Sequence, residues 1–397
     1  MDTHVDEYHC FHKDENGEEI LPSSTAVSFP ESKVDNLKCA EAYPMSGGHG
    51  PTSYSNNSHY QGEGVNAAKH LIREAIAKNI CLKQLSSLKT YHVADLGCSV
   101  GPNTFAVVDN IIGAVEQEVV RLGAVMDFQV SFNDHVANDF NTLFASLPPN
   151  KPGRRYFAAG VPGSFHGRLF PEESLHFVHS SYAVHWLSRV PDEVKDDKSP
   201  AWNKGKILSV GAKREVEEAY AAQFAKDMEV FLQARAEEVA AAGLIALILP
   251  YNKGSVYVQQ AMFSRVFRVL ELTLNDMALK GRLDEKKVNE FNLPMYLPST
   301  TELQKLVDRN GSFSIKNMQP LASSTKGYIS SKLADAHQYS LSVRAPMEGI
   351  MSQYFGGREA VDEIFDRYVE IAEENLDFLS QSASLTEDLF VLLKRKP

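Results

Sequence analysis

Short apolar runs alternate with helical periodicities along most of this chain. Apolar runs predict strands at 91–97, 128–132, 156–161, 176–178 and 244–249, and a last strand at 389–393. Apolar residues at helical spacing predict helices at 64–79, 104–122 and 215–241. Strands that alternate with helices predict an α/β fold with a doubly wound parallel or mixed sheet. Ligands of such sheets bind at the carboxyl ends of the strands.

Two regions depart from this alternation. Residues 1–40 are polar and lack periodicity, which predicts a disordered N-terminal arm before a single domain over residues 41–397. Residues 256–350 contain amphipathic patterns at 263–279 and 300–307 but no convincing strand. We therefore expect a helical cap at about 256–350, inserted before the last strand.

Composition narrows the classes of function. The chain has 397 residues and a net charge of −11, which argues against non-specific nucleic-acid binding, because such binding needs positive charge. No apolar run approaches the roughly 20 residues of a membrane span, and we recognise no signal sequence, so we expect a cytoplasmic protein without membrane contact. The four cysteines show neither zinc nor disulfide spacing.

The run Asp95-Leu96-Gly97-Cys98-Ser99-Val100-Gly101-Pro102-Asn103 joins a predicted strand to a predicted helix. Its glycines let a ligand approach the backbone, and the helix N-terminus presents unpaired N–H groups. The Lys-Ser/Thr of a phosphate-binding loop is missing, as is the dinucleotide pattern G-x-G-x-x-G. The run therefore favours an adenosine ligand without phosphates, of which S-adenosylmethionine (SAM) is the obvious candidate.

Two later segments add candidate cofactor contacts. Asp134 ends the second predicted strand, where a carboxylate can accept hydrogen bonds from ribose hydroxyls; the alternative is a turn-forming residue. Phe165 follows the third predicted strand and either stacks on an adenine ring or belongs to the core.

Two further segments suggest an acceptor site. Tyr54, Ser58 and Gln61 recur at about one helical turn, so their three hydrogen-bond donors share one helix face. The alternative is that this face is simply exposed to solvent. His185 precedes Trp186, whose indole N–H needs a partner when buried. His185 itself is a base, a hydrogen-bonding group or a core histidine.

These segments together resemble the plant SABATH methyltransferases, named for salicylic acid, benzoic acid and theobromine. The resemblance runs in order from about residue 43 to the C-terminus. Besides the Asp95–Asn103 run, it rests on Met45-Ser46-Gly47-Gly48, Phe132-Asn133-Asp134, Val161-Pro162-Gly163-Ser164-Phe165, Ser180-Ser181-Tyr182, Trp186-Leu187-Ser188 and Phe291-Asn292-Leu293-Pro294. It implies the SAM-dependent (class I, Rossmann-like) methyltransferase fold, and the Asp388–Lys396 segment looks most like the loganic acid and farnesoic acid group.

The resemblance also implies roles for individual residues. Positions that contact SAM are Tyr54, Ser58, Asp95, Gly97, Cys98, Asn103, Asp134, His135, Ser164 and Phe165. Gln61 and Trp186 match the catalytic pair that holds the substrate carboxylate. The pocket walls match Tyr182, His185, Val266, Phe267, Met295, Tyr296, Val343 and Pro346.

Some family members bind magnesium away from the methyl-transfer centre. The matching positions here are Asn203, Asn289, Phe291 and Asn292, and Asn289 stands where the family has a carboxylate. We therefore expect weak or absent magnesium binding. The family also implies a homodimer that acts in plant specialised metabolism.

The expected reaction is methyl-ester formation on a small plant carboxylic acid, by in-line transfer from SAM. A carboxylic acid, whose pKa in water is about 4, is already ionised at neutral pH, so orientation and dehydration suffice without a catalytic base. The resemblance leaves a loganic acid-like iridoid, a farnesoic acid-like isoprenoid or an aromatic acid, and Phe267 and Met295 favour an apolar one. The alternative is N-methylation of a purine alkaloid.

Overall fold

The computed structural model describes residues 43–149, 154–254, 262–321, 335–380 and 388–397. The predicted arm over residues 1–40 lies outside the described residues. The strands are β1 (Thr90–Leu96), β2 (Asp127–Asp134), β3 (Phe157–Pro162), β4 (Leu175–Ser181), β5 (Val239–Pro250), β6 (Phe313–Pro320) and β7 (Asp388–Arg395). The helices before β5 are α1 (Tyr54–Asn57), α2 (His59–Asn79), α3 (Leu82–Leu85), α4 (Pro102–Arg121), α5 (Phe140–Ala145) and α6 (Arg214–Glu238). Those after it are α7 (Met262–Leu279), α8 (Glu285–Glu290), α9 (Thr300–Asn310), α10 (Ala336–Phe355), α11 (Arg358–Glu374) and α12 (Leu376–Ser380).

The seven strands form one sheet in the order β3-β2-β1-β4-β5-β7-β6. The first five strands are mutually parallel, whereas β7 is antiparallel to both β5 and β6. All six strands that the apolar runs predict are present. The SAM-dependent methyltransferase fold expected from the motifs is therefore confirmed.

Strand β6 corrects the expectation that residues 256–350 contain no strand. Ser314, Lys316, Asn317 and Gln319 interrupt its apolar positions, and only Phe313 is buried. An edge strand needs no continuous apolar run, because one neighbour supplies its hydrogen bonds and solvent meets the other side. Residues 313–320 therefore form a strand because they pair with β7, and the local sequence pattern does not show this pairing.

The central strands of the sheet are buried on both faces, whereas the edge strands β3 and β6 are largely not buried. Successive strand side chains point to opposite faces, so Val93 packs in the layer of α2 and α4 while Ala94 packs in the layer of α6 and α9. A third apolar cluster joins α7, α10 and α11. No helix among the described residues is long and apolar enough to cross a membrane.

Residues 43–50 link the helices of this third cluster to the sheet. The Ser46 N–H donates to the Ala345 carbonyl (3.0 Å) and the Ser46 hydroxyl donates to Glu348 (2.8 Å), both on α10. The Gly48 N–H donates to Asp139 (3.0 Å), which also caps the N-terminus of α5. This segment thus spans the carboxyl edge of the sheet, where ligands of such folds bind.

Candidate active site

The glycine loop between β1 and α4 lies against the end of β2. The backbone N–H groups of Gly97 and Cys98 both donate to the Asn133 carbonyl at 2.9 Å. Gly97 has φ +80°, and a methyl group there would overlap Ala183. Glycine is therefore required at this position both for its backbone conformation and for space.

Asn133 holds the ends of three strands together. Its side-chain amide donates to the carbonyls of Val161 (2.8 Å) and Gly163 (2.9 Å), while its own carbonyl receives the glycine loop of β1. Sequence reasoning assigned this residue no role. The signal available in the sequence was a polar residue immediately before Asp134, at the end of an apolar strand pattern.

Asp134 points its carboxylate at the same loop. Its Oδ2 accepts the Ser99 N–H (2.8 Å) and its Oδ1 accepts the His135 N–H (2.7 Å). Burial raises the pKa of Asp134, and these backbone donors oppose the rise. The carboxylate is thus held beside the loop, where the ribose hypothesis requires it.

Asp95, near the end of β1, anchors the start of the loop. Its buried carboxylate bonds His179 Nδ1 (2.7 Å) and accepts the Thr104 hydroxyl, so it joins β1, β4 and the first turn of α4. Burial raises the pKa of Tyr54 and of Cys98, and the nearby charges of Asp134 and Asp95 raise both further. These four side chains therefore lie together.

Asn103 and Ser58 connect the starts of α4 and α2. The Asn103 amide donates to the Ser58 hydroxyl and carbonyl, each at 3.0 Å. Ser58 and Tyr54 both lie beside Gly101, within ordinary contact distance of a β-carbon placed there. The polar helix face that the sequence suggests is thus turned towards the glycine loop.

Phe165 closes the other side of the loop. Its ring lies 3.8 Å from an ideal β-carbon on Gly97, and its carbonyl accepts Arg235 Nη1 (2.8 Å). Ser164 precedes it, and its hydroxyl accepts the His166 N–H at 3.4 Å. The structure thus brings eight of the ten predicted cofactor residues to one loop, while His135 and Ser164 adjoin Asp134 and Phe165 in the chain.

These residues fit an adenosine ligand. Three buried polar atoms around the loop have no hydrogen-bond partner among the described residues, namely Ser99 Oγ, Asn133 Oδ1 and Asn138 Oδ1. Buried polar atoms normally find partners. A polar ligand in the cradle would supply such partners, and SAM carries polar ribose and amino acid groups.

Beside this cradle lies a mainly apolar cavity of about 140 Å³. The structure places nearly all of the predicted acceptor residues in its lining: Gln61, Tyr182, His185, Trp186, Val266, Phe267, Met295, Val343 and Pro346. Tyr54 lines it too, which connects the cavity to the cofactor loop. Sequence reasoning missed several lining residues, including Tyr60, Phe263, Gln338 and Ser342. Of these, Gln338 and Ser342 share one face of α10 at i, i+4 spacing, which is a recognisable signal.

Tyr296 lies outside this lining, contrary to expectation. Met295 forms a backbone bridge with Trp186, and the next N–H, of Tyr296, donates to the His185 carbonyl (2.9 Å). Side chains alternate along extended backbone, so Met295 faces the cavity and Tyr296 faces away. The Tyr296 hydroxyl donates to Glu302 (2.7 Å), and its ring packs beside Phe224.

His185 is a neutral wall residue. Burial lowers the pKa of His185 to about 3, so the imidazole is uncharged near neutral pH. Its Nδ1 and the Oε1 of Gln61 are buried without a hydrogen-bond partner among the described residues. A group with so low a pKa is a poor proton acceptor at pH 7. His185 therefore contributes a hydrogen-bonding group and part of the shape of the cavity wall.

The four residues predicted for magnesium do not fit a cation. Asn203 Nδ2 donates to Asn292 Oδ1 (2.8 Å) and to the Leu208 carbonyl (3.1 Å), while the Asn289 carbonyl accepts Trp202 Nε1 (3.4 Å). Phe291 ends this segment with a buried ring. Magnesium prefers carboxylate, water and phosphate oxygens, and the described residues contain no group of three acidic, histidine or cysteine side chains able to hold a metal.

Comparison with known proteins agrees with this geometry. The family described as SAM dependent carboxyl methyltransferase matches residues 40–396. A loganic acid O-methyltransferase of Catharanthus roseus is 41% identical over 360 residues, which cover 90% of this chain and 95% of that protein. A 3,7-dimethylxanthine N-methyltransferase of Camellia sinensis var. assamica is 35% identical over 365 residues, 90% of this chain and 97% of that protein.

A solved structure of a loganic acid methyltransferase with SAH has a TM-score of 0.84 and 41% identity, covering 89% of this chain and 99% of that one. Its fold, the glycine loop of the present chain and the match over residues 40–396 agree with one another. This protein therefore belongs to the SAM-dependent carboxyl methyltransferases, the SABATH family whose motifs it contains.

Proposed function

We propose that this protein forms the methyl ester of a small, largely apolar plant carboxylic acid. The observation that supports the proposal most is the cavity beside the cofactor loop, where Gln61 and Trp186 stand among mainly apolar walls. The described lining contains no Lys, Arg, Asp or Glu. An acid whose carboxylate is ionised in water needs orientation there and no base.

Each residue group has a defined task in this proposal. Gln61 and Trp186 donate side-chain N–H groups to the carboxylate oxygens, and the aromatic walls exclude water. SAM supplies a methyl group already activated on a sulfonium. Orientation of this kind contributes roughly 7–11 kcal/mol in well-placed reactions.

The walls favour an isoprenoid or aromatic acid over a glycosylated one. Phe263, Phe267 and Met295 present apolar surface, and the Ser342 hydroxyl already donates to the Gln338 carbonyl of its own helix (3.1 Å). A sugar would need several free polar partners, since unpaired polar groups are costly. Because the chain is similar to a loganic acid O-methyltransferase, an iridoid acid is included among the substrates to be assayed.

The chain offers a matched pair of variants for the test. Trp186→Phe removes the proposed tether, whereas Trp202→Phe removes the only other tryptophan, whose N–H donates to the Asn289 carbonyl away from the cavity. We expect Trp186→Phe to raise the acceptor KM at least roughly tenfold and to lower kcat, because a charge-assisted hydrogen bond is lost. Trp202→Phe should leave both constants nearly unchanged, and equal behaviour of the two variants would refute the tether.

The substrate class follows from labelled-methyl assays with loganic, farnesoic, cinnamic, salicylic, jasmonic and indole-3-acetic acids. Preference for a bulky apolar acid supports the proposal, and activity on a glycosylated acid alone contradicts it. Xanthines belong in the same panel, because a purine N-methyltransferase is 35% identical to this chain. Methylation of purines and of no acid would replace the proposed reaction by the alternative.

We also propose a cytoplasmic homodimer, as the family resemblance implies. Light scattering of the purified protein tests the dimer, and a fluorescent fusion in plant cells tests the compartment. A monomer at micromolar concentration would contradict the first part.

A further inference from the structure

Asp388 is a buried carboxylate that lies directly behind the acceptor cavity. It is the first residue of β7 and pairs in register with Pro250 of β5. Its Oδ2 accepts the Tyr182 hydroxyl (2.8 Å) and its Oδ1 accepts the Tyr60 hydroxyl (3.2 Å). Among the described residues, no Lys, Arg or His forms an ion pair with Asp388. An acid buried without a cation is costly unless its hydrogen bonds compensate.

Both tyrosines belong to the wall of the acceptor cavity. Their rings meet edge to face, with centroids 5.7 Å apart. Tyr60 immediately precedes Gln61 in α2, and Tyr182 lies three residues before His185. Any change in how the two hydroxyls are held therefore moves the surface that faces the acceptor.

The backbone around Tyr182 also holds its side chain in this position. Tyr182 has φ +53°, an unfavourable conformation for a tyrosine. Its N–H donates to the Ile248 carbonyl (2.8 Å), and Gly64 of α2 leaves the space that its hydroxyl occupies. Strained backbone persists where surrounding contacts over-determine it, often beside binding sites.

We propose that Asp388 is a positioning residue, which sets the affinity for the acceptor by holding Tyr60 and Tyr182 in the cavity wall. The inference rests on the proposed function, because it takes the cavity to be the acceptor site. Asp388 touches neither SAM nor the reacting atoms in this proposal. Its effect reaches the acceptor through the two tyrosine rings.

Ionisation of Asp388 makes this effect depend on pH. Burial raises the pKa of Asp388 to about 6, against the two tyrosine hydrogen bonds, which lower it. Among the described residues, Tyr251, after β5, is a further titratable group beside it, and its pKa rises through burial and the Asp388 charge. Above pH 6 the carboxylate accepts both hydroxyls as charge-assisted bonds. Below pH 6 the protonated acid holds them more weakly.

Steady-state kinetics of Asp388→Asn, Tyr60→Phe and Tyr182→Phe test the inference, with Tyr91→Phe as control. Tyr91 is a buried tyrosine in β1 whose ring stacks on His176, away from the cavity lining. We expect Asp388→Asn to raise the acceptor KM roughly tenfold with kcat within about threefold, as the loss of a charged hydrogen bond implies. The wild-type kcat/KM should rise through an inflection near pH 6 that the variant lacks. SAH affinity should stay within about twofold, because the cofactor loop is untouched.

A double-mutant cycle supplies a readout independent of activity. Urea midpoints of Asp388→Asn, Tyr182→Phe and the double variant should be non-additive, because the two side chains share one bond. Additive midpoints would overturn the inference, and this readout needs no enzymatic activity. A wild type that methylates no acid would by itself refute only the proposed function. An active wild type and a folded Asp388→Asn with unchanged KM overturn the inference alone.

Discussion

A methyl group on Gly64 would overlap the hydroxyl of Tyr182, because the two residues are packed without space for a β-carbon. The contact joins α2 to the turn after β4, and both elements contribute residues to the lining of the acceptor cavity. Glycine is normally unfavourable inside a helix by about 1 kcal/mol relative to alanine. Its presence here is explained by the tyrosine that it accommodates.

We therefore predict that Gly64→Ala raises the acceptor KM and destabilises the fold. Overpacking costs about 1–3 kcal/mol, which exceeds the gain in helix propensity. Urea unfolding and steady-state kinetics measure both effects. Gly113→Ala in α4 is the matched control, because its β-carbon would meet only the flexible end of Arg155 at 3.5 Å. The control should be neutral or slightly more stable, and a harmless Gly64→Ala would contradict the packing argument.

Asn133→Ala should weaken SAH binding and lower stability by about 2–4 kcal/mol, because two buried carbonyls lose their donor. Isothermal titration with SAH and urea unfolding are the measurements. Asn79→Ala is a suitable control, since its amide donates only to the Ala75 carbonyl within α2 (2.9 Å). Unchanged SAH affinity in Asn133→Ala would show that the loop does not need this tie.

The low pKa of His185, about 3, predicts a specific loss of stability in acid. The unfolded chain takes up a proton as pH falls below the ordinary pKa of 6.5, whereas the folded histidine does not until about pH 3. Stability is therefore lost with falling pH between these values, by about 2 kcal/mol at pH 5. His185→Gln should remove this dependence when unfolding is compared at pH 5 and 7.5.

His176 provides the control for that experiment. Burial and the neighbouring His92 lower the pKa of His176 to about 4, and it lies away from the acceptor cavity. His176→Gln should likewise reduce the acid sensitivity of the fold but leave the acceptor KM unchanged. A His185→Gln enzyme with unaltered KM would remove His185 from the acceptor site.

Chelation should have no effect on this protein. Because two of the residues predicted for magnesium, Asn203 and Asn292, are hydrogen-bonded to each other, EDTA is expected to change neither the turnover rate nor the thermal midpoint. Turnover restored by magnesium after chelation would contradict this arrangement.

The central strands of the parallel half were predictable because buried strands need continuous apolar runs, as in β1 and β5. The half-polar edge strand β6 was not, since its partner β7 lies about 70 residues further along the chain. Tyr296 shows the same limit within the site. Its position next to Met295 says nothing about which of the two faces the cavity, and the bridge to Trp186 decides that.

The chain by itself determined the donor: the glycine loop and Asp134 are local motifs, and local backbone chemistry shapes a SAM cradle. On the acceptor side the family resemblance named most of the lining residues, and only the tertiary structure shows how they enclose one cavity. Gln61, Trp186 and the residues of α7 and α10 come from distant segments, and Asp388 meets Tyr60 across 328 positions of sequence. Burial in the folded protein then makes His185 neutral and raises the pKa of Asp388, because desolvation depends on surroundings that no local pattern contains.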